Sequence, residues 1–184
     1  MSRFRAVFGD ARAVLPIIHV AGRDQALRNT DTARAGGADG AFLISHGSVS
    51  DDALLDICRA VREAQPGFWL GVNCLSLRPE ELFARLPAGL RGVWSDQAGI
   101  DETTDAQPAA ARITDARASW DGLYFGGVAF KYQRPVRDPA AAALRAAPWM
   151  DVVTTSGPGT GQAAPPAKVR SMKQALGDHP LALA

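Results

Sequence analysis

Cysteine is scarce in this chain. Cys58 and Cys74 are the only two, too few for a disulfide framework. Charge of one sign is lacking as well: 20 Lys and Arg stand against 19 Asp and Glu, a net charge of +1. That balance argues against an electrostatic grip on nucleic acid or on an anionic membrane. No apolar run reaches the roughly 18 residues that a membrane span needs. The opening Met-Ser-Arg-Phe-Arg runs on to Asp10 and Arg12 without the apolar centre of a signal peptide. These absences predict a cytoplasmic protein with no nucleic-acid or membrane partner. What remains is ordinary for a globular chain: 184 residues, 47% hydrophobic and 21% charged. A chain of this mass buries about 70% of its unfolded surface, enough for one core without staples. The expectation is a single domain over 1–184.

What is present is a rhythm. Continuous apolar runs occur at 15–20, 40–45, 69–74, 92–96, 122–128, 151–156 and 180–184. Strands covered on both faces, as in parallel sheets, read as runs rather than as alternation. Helical patterns lie between them, at 25–35, 51–64, 79–86, 108–118, 139–147 and 166–176. Four of these open on proline, which suits a first helical turn. In 51–64, Leu54, Leu55, Cys58 and Val61 form one stripe, so Cys58 is expected in the core. Ser50 or Asp51 is the expected cap, and Gly177 the residue that ends the last helix. Small or acidic residues precede the strands, as in Ala38-Asp39-Gly40 and Trp149-Met150-Asp151. They fit tight helix-to-strand corners.

Such units build either an open doubly wound sheet or a (β/α) barrel. None of the runs looks like a polar edge strand, which favours the barrel. The expected fold is therefore α/β, a (β/α)8 TIM barrel truncated within strand seven. Two unpaired apolar edges would make such a chain associate into homo-oligomers or lose stability.

In parallel α/β folds, ligands bind beyond the carboxyl ends of the strands. Those ends deliver His19; Ser45 and His46; Asn73 and Cys74; Asp96; the stretch 126–134 with Lys131; and Thr154 to Gln162. Collecting ionisable groups there points to a small-molecule site. His19 with Asp96, or His46 with Asp96, suits proton transfer. The same His19, His46 and Asp96 could instead hold a divalent metal; no cofactor is otherwise expected. Lys131 could hold an anion or form a Schiff base. Arg134 reads as a rim charge. Thr155, Ser156, Gly157, Gly159, Thr160 and Gly161 form a glycine-rich turn before a helix, where backbone N–H groups favour an anion. The alternative is a plain turn, and neither a Walker A nor a Rossmann spacing is present. Ser45 and Asn73 would bind substrate. Cys74 is either a nucleophile or a small filler. His179 and the four tryptophans read as structural.

The strings Leu15-Pro-Ile-Ile-His-Val20, Ala35-Gly-Gly-Ala-Asp-Gly40 and Val152-Val-Thr-Thr-Ser-Gly-Pro-Gly-Thr-Gly161 resemble the BtpA/SgcQ-type proteins. That family is similar to phosphoribosylanthranilate isomerase and other ribulose-phosphate-binding barrels. The resemblance implies an eight-stranded barrel whose rim takes a phosphorylated sugar or a nucleotide-like ligand. Members continue past Leu181-Ala-Leu-Ala184 into further units. His19 stands where phosphoribosylanthranilate isomerases carry a cysteine. The resulting expectation is an acid–base isomerase or lyase in which His19, His46, Asp96 and Lys131 act on a phosphorylated small molecule. Phosphoribosyl transfer is the alternative chemistry. A non-catalytic binding or assembly factor of the BtpA type is the alternative class.

Overall fold

The structure is a computed structural model that describes residues 2–10 and 12–184. The chain packs as two compact units. One holds residues 7–10, 12–94 and 120–122; the other holds 2–6, 95–119 and 123–184.

In the first unit, strands β1 (Ile17–Val20), β2 (Gly40–Ser45), β3 (Trp69–Asn73) and β4 (Gly92–Ser95, its last residue in the second unit) follow one another. Each pairs in parallel with the next: Ile18 faces Leu43, Ile44 faces Asn73, and Val72 faces Val93. The intervening helices are α2 (Arg23–Ala35), α3 (Asp51–Ala64) and α4 (Pro79–Phe83), after a short α1 (Arg3–Phe8). The second unit continues with α5 (Pro108–Ala116), β5 (Leu123–Gly127), α6 (Pro139–Ala146), β6 (Val152–Thr155), α7 (Pro166–Leu176) and β7 (Leu181–Leu183). Its strands are parallel too, with Gly127 facing Thr154 and Thr155 facing Leu183. The α/β class and all seven strands thus match the pattern in the sequence.

The departures have local causes. Strand β1 starts at Ile17 because Pro16 has no N–H to give a ladder; its carbonyl accepts from Phe42 N at 2.9 Å. Helix α4 stops three residues early, where Arg85 N turns back to Leu82 O at 2.9 Å ahead of Pro87. Helix α1 carries no buried residue, so no apolar stripe announces it. Uniform strand burial fails at the two ends of the series. β1 pairs only with β2 and β7 only with β6, and both are partly exposed. Ser50 Oγ does cap α3, accepting Ala53 N at 3.2 Å, and Gly177 ends α7 at φ +55°.

Aromatic packing in the first unit requires missing side chains. Phe42 meets Trp69 and Trp94 edge-on, at centroid distances of 5.3 and 5.9 Å. A Cβ on Gly71 would lie 2.3 Å from the Phe42 ring, and one on Gly92 would lie 2.2 Å from Trp69. Trp69 and Trp94 are packing groups, as expected.

The acidic corners do more than turn the chain. Asp39 N donates to Val14 O at 3.1 Å, while its carboxylate accepts Val14 N at 2.7 Å. Asp151 repeats this on Tyr124, with N to O at 3.0 Å and Tyr124 N to Oδ2 at 2.8 Å. A residue preceding one strand thereby grips the neighbouring chain at two points. Asp151 is also paired with Arg117 at 2.6 Å and Arg3 at 3.3 Å, and its side chain is only 8% exposed. Removing one partner of a buried charged network leaves the other uncompensated. Asp151→Ala is therefore expected to cost about 3 kcal/mol, and Asp39→Ala, on an exposed corner, about 1 kcal/mol. Urea unfolding measures both; equal losses would refute the ranking.

Candidate functional site

The first unit brings two of the sequence-predicted residues side by side. His19 is the third residue of β1 and His46 follows the last residue of β2. Both are exposed. Their rings lie edge to face, with centroids 5.4 Å apart and planes at 79°. The backbone beneath each is held. Gln25 accepts Ala21 N at 3.0 Å and donates to His19 O at 3.3 Å, closing the β1–α2 corner. Val49 N donates to His46 O at 3.2 Å across a turn through Gly47, at φ +60°. Among the described residues, no protein hydrogen bond engages either imidazole.

Ser45 and Asn73 also lie at strand ends of this unit, but both are buried. Asn73 makes an interaction within the protein, so a substrate-facing role is not favoured by its surroundings. Cys74 is buried, and burial, with Asp51 adding to it, pushes its thiol up to about 12. A nucleophile needs the thiolate, so Cys74 is a filler. Cys58 is fully buried on the α3 stripe, as expected, and its thiol is raised for the same reason. Asp51 gives one carboxylate oxygen to Ser76 N at 2.9 Å, while the other is buried and unbonded.

The second unit gathers the remaining predicted residues into a closed hydrogen-bond web. Lys131 N donates to Ser156 Oγ at 2.8 Å, and Ser156 Oγ donates to Gly157 O at 2.9 Å. Thr155 Oγ1 donates to Ala129 O at 3.2 Å. Thr160 meets the Tyr132 hydroxyl through its own hydroxyl at 3.0 Å and its N–H at 3.4 Å. Asp96 enters through its backbone, its carbonyl accepting Gln133 Nε2 at 2.6 Å. The Lys131 ammonium lies 5.6 Å from the centre of the Phe130 ring. Arg134 is no free rim charge; it forks onto Glu102 at 3.0 and 2.8 Å. That pair, with Gln97 and Gln133, lines a recess of about 180 Å³.

This web lends no support to the anion-binding expectation for Thr155, Ser156, Gly157, Gly159, Thr160 and Gly161. The hydroxyls already have partners inside the protein. The glycines serve the turn: a Cβ on Gly157 would lie 1.9 Å from Gln162 O, Gly159 O accepts Gln162 N at 3.1 Å, and Gly161 sits at φ +75°. Helix α7 begins with Pro165 and Pro166, which remove two of the N–H groups that an anion would need.

Lys168, Gln133 and Tyr132 were not singled out by sequence pattern. Lys168 Nζ reaches both Ala129 O and Ser156 O, the latter at 2.9 Å, tying the loop after β5 to the loop after β6. Burial lowers its pKa. The one signal was a lysine in the first turn of a helix, where the dipole disfavours a cation. Ala129 and Tyr132 adopt φ +48° and +64°, a conformation costly for residues with side chains; the surrounding bonds hold them in it.

No family model matches the chain, and no curated protein matches it. Solved structures do. A mandelate racemase/muconate lactonizing enzyme from Roseiflexus sp. is 13% identical, with a TM-score of 0.58 over 100% of this chain and 51% of that one. L-talarate/galactarate dehydratase from Salmonella typhimurium LT2 is 16% identical, with a TM-score of 0.61 over 98% and 45%. L-talarate dehydratase from Polaromonas sp. JS666, complexed with Mg and L-glucarate, is 18% identical, with a TM-score of 0.58 over 97% and 47%. The chain spans about half the length of these proteins. At such identities the likeness is one of fold. It corrects the resemblance drawn from the strand motifs: these neighbours are neither BtpA/SgcQ-type proteins nor ribulose-phosphate-binding barrels. The phosphorylated-sugar isomerase or lyase, the phosphoribosyl transferase and the BtpA-type assembly factor fall with it.

The thiols supply a pH test. In the fold Cys74 holds its proton to about 12, against 9.0 when unperturbed. The unfolded chain therefore releases its proton first as pH rises. Stability is full below about pH 9 and declines from there toward pH 12. Ellman's reagent at pH 8 is expected to modify neither cysteine in the native chain and both after unfolding in urea. Rapid native labelling of Cys74 would contradict the assignment.

Proposed function

We propose that the chain transfers protons on a small hydroxy acid, with His19 and His46 as the exchanging groups. One observation carries this reading: two exposed imidazoles sit 5.4 Å apart on neighbouring strand ends, with no protein hydrogen bond to either among the described residues. An imidazole suits proton movement near neutrality. Adjacent rings can serve as donor and acceptor within one encounter. The fold likeness supports the substrate class. The matched proteins include a racemase-type enzyme and dehydratases, one complexed with L-glucarate. Racemising or dehydrating a hydroxy acid begins by removing a proton beside a carboxylate, which is a base's task.

Magnesium, recorded with some of those neighbours, does not suit the residues here. It demands oxygen ligands, chiefly carboxylates. Among the described residues no group of three or more His, Cys, Asp or Glu could hold a metal ion. In the first unit the strand ends offer imidazole, hydroxyl, amide and thiol. No step is routed through magnesium.

We propose further that the seven β/α units belong to one (β/α) barrel domain. Parallel pairing in chain order within each unit and the match across nearly the whole chain support this. No described helix is long and apolar enough to cross a membrane. Two unpaired cysteines favour a cytoplasmic setting.

The test is isotope exchange. The full chain is incubated in D2O with L-glucarate, galactarate or mandelate, and NMR follows the C–H beside the carboxylate. Exchange is expected, with His19→Ala and His46→Ala each slowing it about 10²- to 10⁴-fold. Absence of exchange with all three acids, or exchange indifferent to both substitutions, would overturn the proposal.

A further inference from the structure

We infer that His19 and His46 form a two-imidazole site for a first-row divalent ion of the Zn2+, Ni2+ or Cu2+ type, and that Mg2+ is not held there. A zinc–imidazole bond is about 2.1 Å, so the ion stands roughly 3.2 Å from the centre of each ring it binds. Two rings sharing one tetrahedral ion then have centres roughly 5.3 Å apart. The observed separation is 5.4 Å. In the observed edge-to-face arrangement, with planes at 79°, each exposed side chain would turn about its own torsions to aim a nitrogen at the shared ion. Both rings are exposed, and no protein hydrogen bond fixes their rotation.

Chemistry selects the ion. Neutral imidazole suits zinc, copper and nickel; oxygen ligands suit magnesium. With two protein ligands the rest of the coordination shell is water, which fits a site open to solvent and the absence of a third His, Cys, Asp or Glu ligand among the described residues. Support comes from the backbone. Each histidine stands at the end of a hydrogen-bonded strand: His19 lies opposite Ile44 in the ladder, and Val20 lies opposite Ser45, the residue before His46. Gln25 and the turn through Gly47 hold the two corners. His19 is therefore presented from within a strand and His46 from the turn that directly follows one.

An ion so held occupies the lone pairs that proton transfer would use. This second half rests on the proposed function: a bound ion would switch the exchange off. The first half, metal binding, stands by itself.

The experiment titrates the full chain with Zn2+ and with Mg2+ by calorimetry, and records the electron paramagnetic resonance spectrum of the Cu2+-loaded protein. One Zn2+ per chain, no Mg2+, and a copper spectrum with two nitrogen ligands are expected. His19→Ala and His46→Ala should each weaken Zn2+ by about 100-fold, since the loss of either ring removes chelation. His179→Gln, outside the site, should leave it unchanged. Zn2+ binding that persists at wild-type strength in both alanine variants, or a spectrum with no paired nitrogens, would overturn the inference. Thermal unfolding of each variant without metal verifies that folding is retained. Zn2+ binding without hydroxy-acid exchange would refute the proposed function while leaving the metal site standing. Exchange without Zn2+ binding would do the reverse.

Discussion

A carboxylate that precedes one strand and grips the chain beside it fixes the register on which this structure depends. In a ladder a slip of one residue turns every side chain to the opposite face. Asp39 holds Val14 at two points and Asp151 holds Tyr124 at two points. The same device appears in each unit, at the entrance to a strand. Its consequence lies at the other end. With Val14 held against Asp39, β1 runs beside β2 so that Val20 faces Ser45. His19 then projects among exposed residues while Ile18 and Val20 are buried. A slipped β1 would bury the imidazole and expose its aliphatic neighbours. The chemistry of the rim thus begins at the opposite end of the strands, in an ion–dipole contact that touches no ligand.

Much of the frame was readable because burial on both faces leaves an unmistakable run. Phe42-Leu43-Ile44 and Leu123-Tyr124-Phe125 have no polar residue to interrupt them, and each lies inside an observed strand. Helix α3 was readable to its ends because Ser50, two acidic residues and a stripe of four apolar side chains agree with one another. Where levels of organisation agree, sequence specifies structure. Helix α1 has no stripe, and β1 and β7 have a neighbour on one side only, so nothing local separates them from their better-covered relatives. The acidic corners were visible as a pattern, yet their purpose was not. Asp39 and Val14 are 25 residues apart, Asp151 and Tyr124 27. A hydrogen bond across that distance has no local signature.

The site divides along the same line. His19 and His46 were legible because strand ends in parallel α/β proteins are where functional groups gather. The glycine-rich turn is ambiguous in sequence because its glycines suit two purposes, and the choice between them lies in partners far along the chain. Ser156 is engaged by Lys131 and Thr160 by Tyr132, at separations of 25 and 28 residues. The proline pair at the start of α7 was the one local warning. A helix that opens on two residues without N–H groups is a poor cradle for an anion. The motif that suggested a ribulose-phosphate barrel therefore describes how a chain turns, rather than what it binds.

A shared fold lends this chain a geometry and leaves the ligand set open. Magnesium is recorded with some of its structural neighbours, and that ion prefers oxygen ligands in near-octahedral sites. Here two neighbouring strand ends present imidazoles instead. Exchanging carboxylate for imidazole at a strand end changes the hardness of the donor, and with it both the ions that are retained and the protons that can be moved at neutral pH. A carboxylate site needs a cation to do acid–base work on a second carboxylate, because like charges repel. An imidazole can approach an anionic hydroxy acid without such a shield.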